Sequence, residues 1–165
     1  MILMTLNKSY SLSPSSSPWS KVVVHGIPDV RVFRSGDLVT IDISVFVNGF
    51  HGDKAASFLL GRRGVIDFDR CDLGHVDVEA VRLLKVTRCC LEEAIKICRS
   101  GVTLSSIGEL IEEIAYQNSL AVIPAVCGHS IGEYFHGPPD IVHARLEEYE
   151  STDGQCRDSG ILNRQ

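Results

Sequence analysis

Between Asp37 and Val47 apolar and polar side chains alternate, with Ile41, Ile43, Val45 and Val47 on one side and Asp42, Ser44 and Phe46 on the other. A period of two predicts a half-buried strand. Asn48-Gly49 follows at once, and both residue types tolerate the positive φ angles of a two-residue hairpin turn. The pattern therefore predicts a second strand over about Phe50–Leu60. In that register residue 42 faces residue 55, and residue 44 faces residue 53. Asp42 and Asp53 then become diagonal neighbours on one face of the sheet.

Elsewhere the period changes. Val81, Leu84, Leu91, Ile95 and Cys98 fall near helical spacing and predict a helix from about Val78 to Cys98, with Gly101 as its stop. Leu104, Ile107, Leu110, Ile111 and Ile114 form the apolar stripe of a second helix, for which Thr103 is the N-cap candidate. Lys21–His25 and Leu120–Val126 read as short strands. Gly61–His75 has no clean period and reads as a loop. The Ser- and Pro-rich stretch 1–20 predicts a flexible tail or the remnant of a targeting segment. Beyond about residue 145 no apolar period survives, and neither strand nor helix is expected.

Composition narrows the classes. The chain has 165 residues, 44% of them apolar, which suits one folded domain, and a formal net charge of −5. That balance, with no Lys/Arg-rich run, argues against nucleic acid as a partner. No apolar stretch approaches the roughly 18 residues of a membrane helix. The six cysteines contain no C-x-x-C pair, so they read as reduced intracellular thiols and not as a zinc ribbon.

Two clusters can carry chemistry. Paired carboxylates on one sheet face repel unless a cation lies between them, and a divalent ion does this well. Solvent-facing aspartates are the alternative. The second cluster is Gly128-His129-Ser130-Ile131-Gly132 with Phe135-His136-Gly137-Pro138. It offers two histidines in glycine-rich loops, suited to metal ligation or proton transfer.

At this point the chain resembles a known family. Val24-His25-Gly26-Ile27-Pro28-Asp29 is similar to the H-G-I-P-D motif of type 1 methionine aminopeptidases. Ile41-Asp42 with Asn48-Gly49-Phe50-His51-Gly52-Asp53 resembles the family's two-aspartate hairpin. Gly101-Val102 and Ile107-Gly108 resemble the segment between its helices. Cys127–Gly132 and Tyr134–Pro138 resemble its two histidine blocks. Tyr134–Gly137 and Gln117-Asn118 lean toward the organellar, mitochondrial-like branch. The motifs run in family order over 21–143.

The resemblance implies an α+β fold, a partial pita-bread antiparallel sheet with flanking helices. It implies removal of the initiator methionine from nascent polypeptides, with two divalent ions (Co²⁺, Mn²⁺, Fe²⁺ or Zn²⁺) as cofactors. Asp42, Asp53 and His129 correspond to metal ligands. His136 corresponds to a catalytic and substrate-binding histidine, and His25 to a substrate-binding one. Phe46 and Phe50 are candidates for the wall of the methionine pocket, with a plain core role as the favoured alternative for Phe46. The resemblance further implies an intracellular monomer, mitochondrial or else cytoplasmic, with ribosome association, while the charge and hydropathy predict no nucleic-acid or membrane binding. His51, His75 and His143 read as structural.

The departures are specific. The family's two later glutamate ligands have no counterpart, and Glu147, Glu148 and Glu150 lack the right context. The resemblance thus implies an incomplete catalytic domain over 21–143, C-terminally truncated, with an unrelated tail over 144–165. The alternative function is a catalytically inactive family member or interaction fragment. Lys54 stands where the family has threonine, which predicts a cation beside the metal cluster. Ser130 replaces a glycine, and Gly61–Arg82 is longer than the usual connection.

Overall fold

The computed structural model describes residues 2–7, 27, 30, 32–62, 64–66 and 77–145. The expected strand at Lys21–His25, together with His25, His75 and the tail from 146 onward, lies outside the described residues. The chain divides into two compact units. One comprises Met1–Val45 with Asp53–Leu84, the other Phe46–Gly52 with Lys85–Gln165.

The hairpin forms as its pattern predicts. Strands β2 (Leu38–Val47) and β3 (Phe50–Gly61) are neighbours in a four-stranded sheet of order β1-β2-β3-β4. Asn48 (φ 52°) and Gly49 (φ 88°) both take positive φ at the turn between them, the backbone that matches the twist of the flanking strands. The other two strands correct the sequence reading. β1 (Ile2–Asn7) pairs antiparallel with β2, so this part of the 1–20 stretch is a strand and not a flexible tail. A ten-residue β2 offers a second edge of N–H and C=O groups, and the apolar run Ile2–Met4 can supply the partner. β4 (Gly64–Ile66) returns along Leu59–Gly61 inside the stretch expected to be a loop. Three residues are too few to show a period.

In the first unit the core comprises Leu38 and Leu59 from the sheet and Ala80, Val81 and Leu84 from the start of helix α1 (Val78–Ile97), with Ile66 and Leu83 against them. Asp77 starts the helix by accepting a hydrogen bond from the Glu79 amide through Oδ1 at 3.0 Å, satisfying one of its orphan donors. Among the described residues of this unit, Asp37 is the buried polar one. Its carboxylate accepts from the Arg34 amide at 2.9 Å, and its carbonyl accepts from Leu60 N–H at 2.9 Å. The burial is therefore matched by hydrogen bonds.

The second unit packs Ala94 of α1, Leu104 and Ile107 of the α2 region and Ile141 of β6 into one cluster. Helix α2 spans Ser105–Gln117, β5 spans Cys127–Ser130, and β6 spans Gly137–Val142. The buried line on α1 here runs through Val86, Cys90 and Ala94, with Leu91 and Ile95 only half-buried. Small side chains admit close approach: the Cys90 thiol donates to the Ile111 carbonyl at 3.8 Å. Gly108 does the same on α2, since a Cβ there would lie 2.5 Å from the Ala144 carbonyl oxygen.

Two boundaries differ from expectation. The N-cap of α2 is Leu104, without a side-chain cap, and Thr103 instead shares a hydroxyl hydrogen bond with Ser106 at 2.7 Å. No strand forms over Leu120–Val126, where Val126 N–H closes a turn onto Ile123. Pro124 cannot donate to a ladder. Strand pairing begins only at Cys127.

Candidate active site

The carboxylate cluster belongs to the β2–β3 hairpin. Thr40 and Ser57 hydroxyls meet at 2.8 Å, and the Ser44 hydroxyl donates to Asp53 Oδ1 at 2.6 Å. Both pairs stand directly opposite in the register that the Asn48-Gly49 turn sets. Ser44 and Asp53 therefore share a face, and Asp42, two residues before Ser44, points to that same side. Asp42 lies mid-strand, opposite Thr5 of β1. Both aspartates are half-buried. Lys54 is exposed, and strand alternation directs it to the opposite face. The cation expected beside the carboxylates is thus turned away from them.

The histidine cluster belongs to the β5–β6 hairpin and the loop joining its strands. β5 and β6 pair antiparallel, with His129 opposite Asp140 and a register shift between His129 and Ser130. The shift marks a local bulge, which re-aims side chains. The His129 and His136 ring centroids lie 4.4 Å apart, with the rings nearly perpendicular. His129 Nδ1 lies 3.0 Å from the Ser130 carbonyl oxygen. An acceptor there holds the ring proton on Nδ1 and leaves the lone pair on Nε2, the arrangement a metal-ligating histidine uses. Ser130, where a glycine was expected, donates its hydroxyl to the Pro138 carbonyl at 2.7 Å and so ties the two strands. The backbone of β6 carries two prolines, which hide a strand from any propensity-based reading.

Phe135 lies in this cluster, as the sequence places it, and His51, expected to be structural, joins it. Phe135 lies 4.2 Å from His136, 5.5 Å from His51 and 6.1 Å from His129 between ring centroids. Phe46, a pocket-wall candidate, lies 4.5 Å from His51 between ring centroids, with the rings tilted by 42°. Phe50 is 58% exposed. The available signal was the His51-Gly52-Asp53 spacing: a residue two before a site aspartate shares its strand.

The donor chemistry suits divalent ions in kind. Two carboxylates on one face and an imidazole with its lone pair on Nε2 are oxygen and nitrogen ligands for first-row metals. In number they are fewer than a closed first-row cage uses, and among the described residues no three His, Cys, Asp or Glu side chains converge on one point. Among the described residues no helix is long and apolar enough to cross a membrane.

Comparison with known proteins agrees with the motifs. The chain is 43% identical over 124 residues to mitochondrial methionine aminopeptidase 1D of Mus musculus, an alignment covering 75% of this chain and 33% of that protein. It thus spans about a third of the length of such curated relatives. Among solved structures, the methionine aminopeptidase of Rickettsia prowazekii aligns with a TM-score of 0.70 and 26% identity, over 94% of this chain and 51% of that one. The Thermotoga maritima enzyme aligns with a TM-score of 0.67 over 89% of this chain and 49% of that one. The α+β pita-bread class is therefore shared with these proteins. The model of the metallopeptidase family M24 matches residues 7–158, most of the sequence, and to that family the chain belongs.

Proposed function

We propose that this chain carries part of the active site of a two-metal aminopeptidase that removes the initiator methionine from nascent polypeptides. In this reading Asp42, Asp53 and His129 hold the ions. His136 binds substrate and assists catalysis, and His25 contacts the substrate. The observation that carries the reading is the hairpin register, which sets Asp42 and Asp53 on one face. The names of the relatives support the substrate class and a mitochondrial location. Ribosome association and a monomeric state follow from the family resemblance alone.

Divalent ions, when bound, supply Lewis-acid polarisation of a peptide carbonyl and lower the pKa of a water. The chain's own groups do the rest. Asp42 and Asp53 provide the negative charge that the ions require, and the Ser44 hydroxyl orients the Asp53 carboxylate. His129 presents Nε2 because Ser130 holds its Nδ1 proton. His136, exposed beside Phe135, can donate an N–H to the oxyanion that develops on the scissile carbonyl.

Calorimetric titration of the 165-residue chain with Mn²⁺ or Co²⁺ tests this together with cleavage of a Met-Ala-Ser peptide. Weak metal binding and slow, metal-dependent release of methionine are expected. Asp53→Asn should remove both, because a neutral amide supplies no negative charge to hold a divalent ion. Metal binding indifferent to both Asp42→Asn and Asp53→Asn would refute the assignment and favour the non-catalytic alternative.

A further inference from the structure

The second unit contains an unbroken line of rings. Phe46 contacts His51, His51 contacts Phe135, Phe135 contacts His136, and His136 contacts His129, with centroid separations of 4.5, 5.5, 4.2 and 4.4 Å. His51 is the midpoint between the hairpin tip and the histidine pair. It also makes two polar contacts with one acceptor. The Gly132 carbonyl receives the His51 backbone N–H at 2.7 Å and faces its ring Nδ1 at 3.1 Å, across 81 residues of sequence. A carbonyl oxygen has two lone pairs and can accept both donors.

Gly132 opens the short turn that delivers Phe135 and His136, and its own amide donates to the Tyr134 carbonyl at 3.2 Å. The Ser130 hydroxyl bond to the Pro138 carbonyl closes the base of that turn, and the segment between is mostly exposed. Glu133, Tyr134 and His136 are exposed, and Tyr134 is 78% exposed. With so few buried contacts the turn would open locally unless anchored. His51 is half-buried and supplies both the anchor and the packing surface for Phe135.

We propose that His51 is a positioning residue for His129 and His136: its Nδ1–H clamps the Gly132 carbonyl while its ring wedges Phe135 against the histidine pair. The clamp needs the Nδ1-protonated tautomer, which the carbonyl acceptor selects. The inference rests on the proposed function only in taking the histidine pair as substrate-facing. The geometry of the clamp stands apart from whether the chain turns over peptide.

The test separates donor from ring in the full chain. Asn places an amide N–H close to the position of Nδ1 but lacks the ring, Phe keeps a ring without the donor, and Ala has neither. The readouts are the imidazole ¹H–¹³C NMR resonances of His129 and His136 and the exchange rate of the residue-51 amide. Amides of α2 serve as the folding control. In His51→Ala, amide exchange should accelerate about tenfold, as for loss of one net hydrogen bond, and both imidazole signals should shift and broaden. His51→Asn should restore most of the amide protection and leave the imidazole signals displaced. His51→Phe should do the reverse. If Ala leaves the imidazole signals and the exchange rate at wild-type values, the proposal is overturned. It is equally overturned if Phe restores both. Should Ala fail to fold, the opposed behaviour of Asn and Phe decides the matter, and equal behaviour of the two counts against it. Peptide cleavage by the same variants is a separate arm: a silent wild type would sink the proposed function and leave the clamp result standing.

Discussion

The carboxylate hairpin and the histidine hairpin are both antiparallel pairs, yet they are specified in different ways. In β2–β3 a two-residue turn lies between long strands, and the side-chain pairs Thr40–Ser57 and Ser44–Asp53 follow from that turn alone. In β5–β6 the strands are four and six residues long. The connection carries the exposed Glu133 and Tyr134, and its geometry depends on His51, 81 residues earlier. Helix α2 adds a second remote constraint, because Gly108 admits the backbone of Val142 and Ala144 against it. The difference teaches that a site built on a local turn tolerates change around it. A site built on remote contacts fails when any one of them is altered.

The largest effect expected under that contrast comes from Gly108→Ala. The new Cβ would lie 2.5 Å from Ala144 O and 2.8 Å from Val142 O, so backbone must move. A loss of about 1–3 kcal/mol is expected, read by urea unfolding, with faster hydrogen exchange in β5 and β6. A loss below about 0.5 kcal/mol would show that the second hairpin does not depend on this close approach.

Ser44→Ala sharpens the comparison from the other side. It removes the donor to Asp53 Oδ1 and leaves the turn intact. Metal affinity should fall about tenfold, the lower end for loss of a group that orients a ligand, with the unfolding midpoint nearly unchanged. Unaltered Mn²⁺ affinity by calorimetry would remove Ser44 from the site.

Gly49→Ala tests the local turn itself. At φ 88° a Cβ is strained by roughly 1–2 kcal/mol, although nothing stands within 4 Å of it. The expected outcome is a destabilised hairpin with its register kept, seen as persistent cross-strand nuclear Overhauser contacts between residues 44 and 53. A register shift would contradict local control.

The smallest effect concerns His143, whose pKa is lowered from 6.5 by burial. The folded state resists the proton that the unfolded chain accepts. Stability should therefore be unaffected by this group above pH 6.5. It should decline as pH falls below 6.5 and level off under the depressed folded value. His143→Gln should flatten that slope in chemical denaturation between pH 7.5 and 5, and an unchanged slope would assign the decline to other groups.

By itself the sequence determined the β2–β3 hairpin, helix α1 to within a residue, the start of helix α2, the order of the motifs and the shared face of Asp42 and Asp53. Each of these rests on short-range periodicity or turn chemistry, which a linear pattern records. Strand β1 escaped because pairing depends on an open edge of β2, not on any feature within Ile2–Asn7. Strand β6 escaped because its two prolines erase the usual signal. The expected strand at Leu120–Val126 failed because Pro124 breaks the ladder that its apolar neighbours suggest. In the last turns of α1 Cys90 and Ala94 took the buried line because backbones that approach closely select small residues, and hydrophobicity alone favours Leu91 and Ile95. Only the tertiary structure decided that His51 joins Phe135 and the histidine pair. A contact across 81 residues depends on where two loops meet, and no period along the chain encodes that.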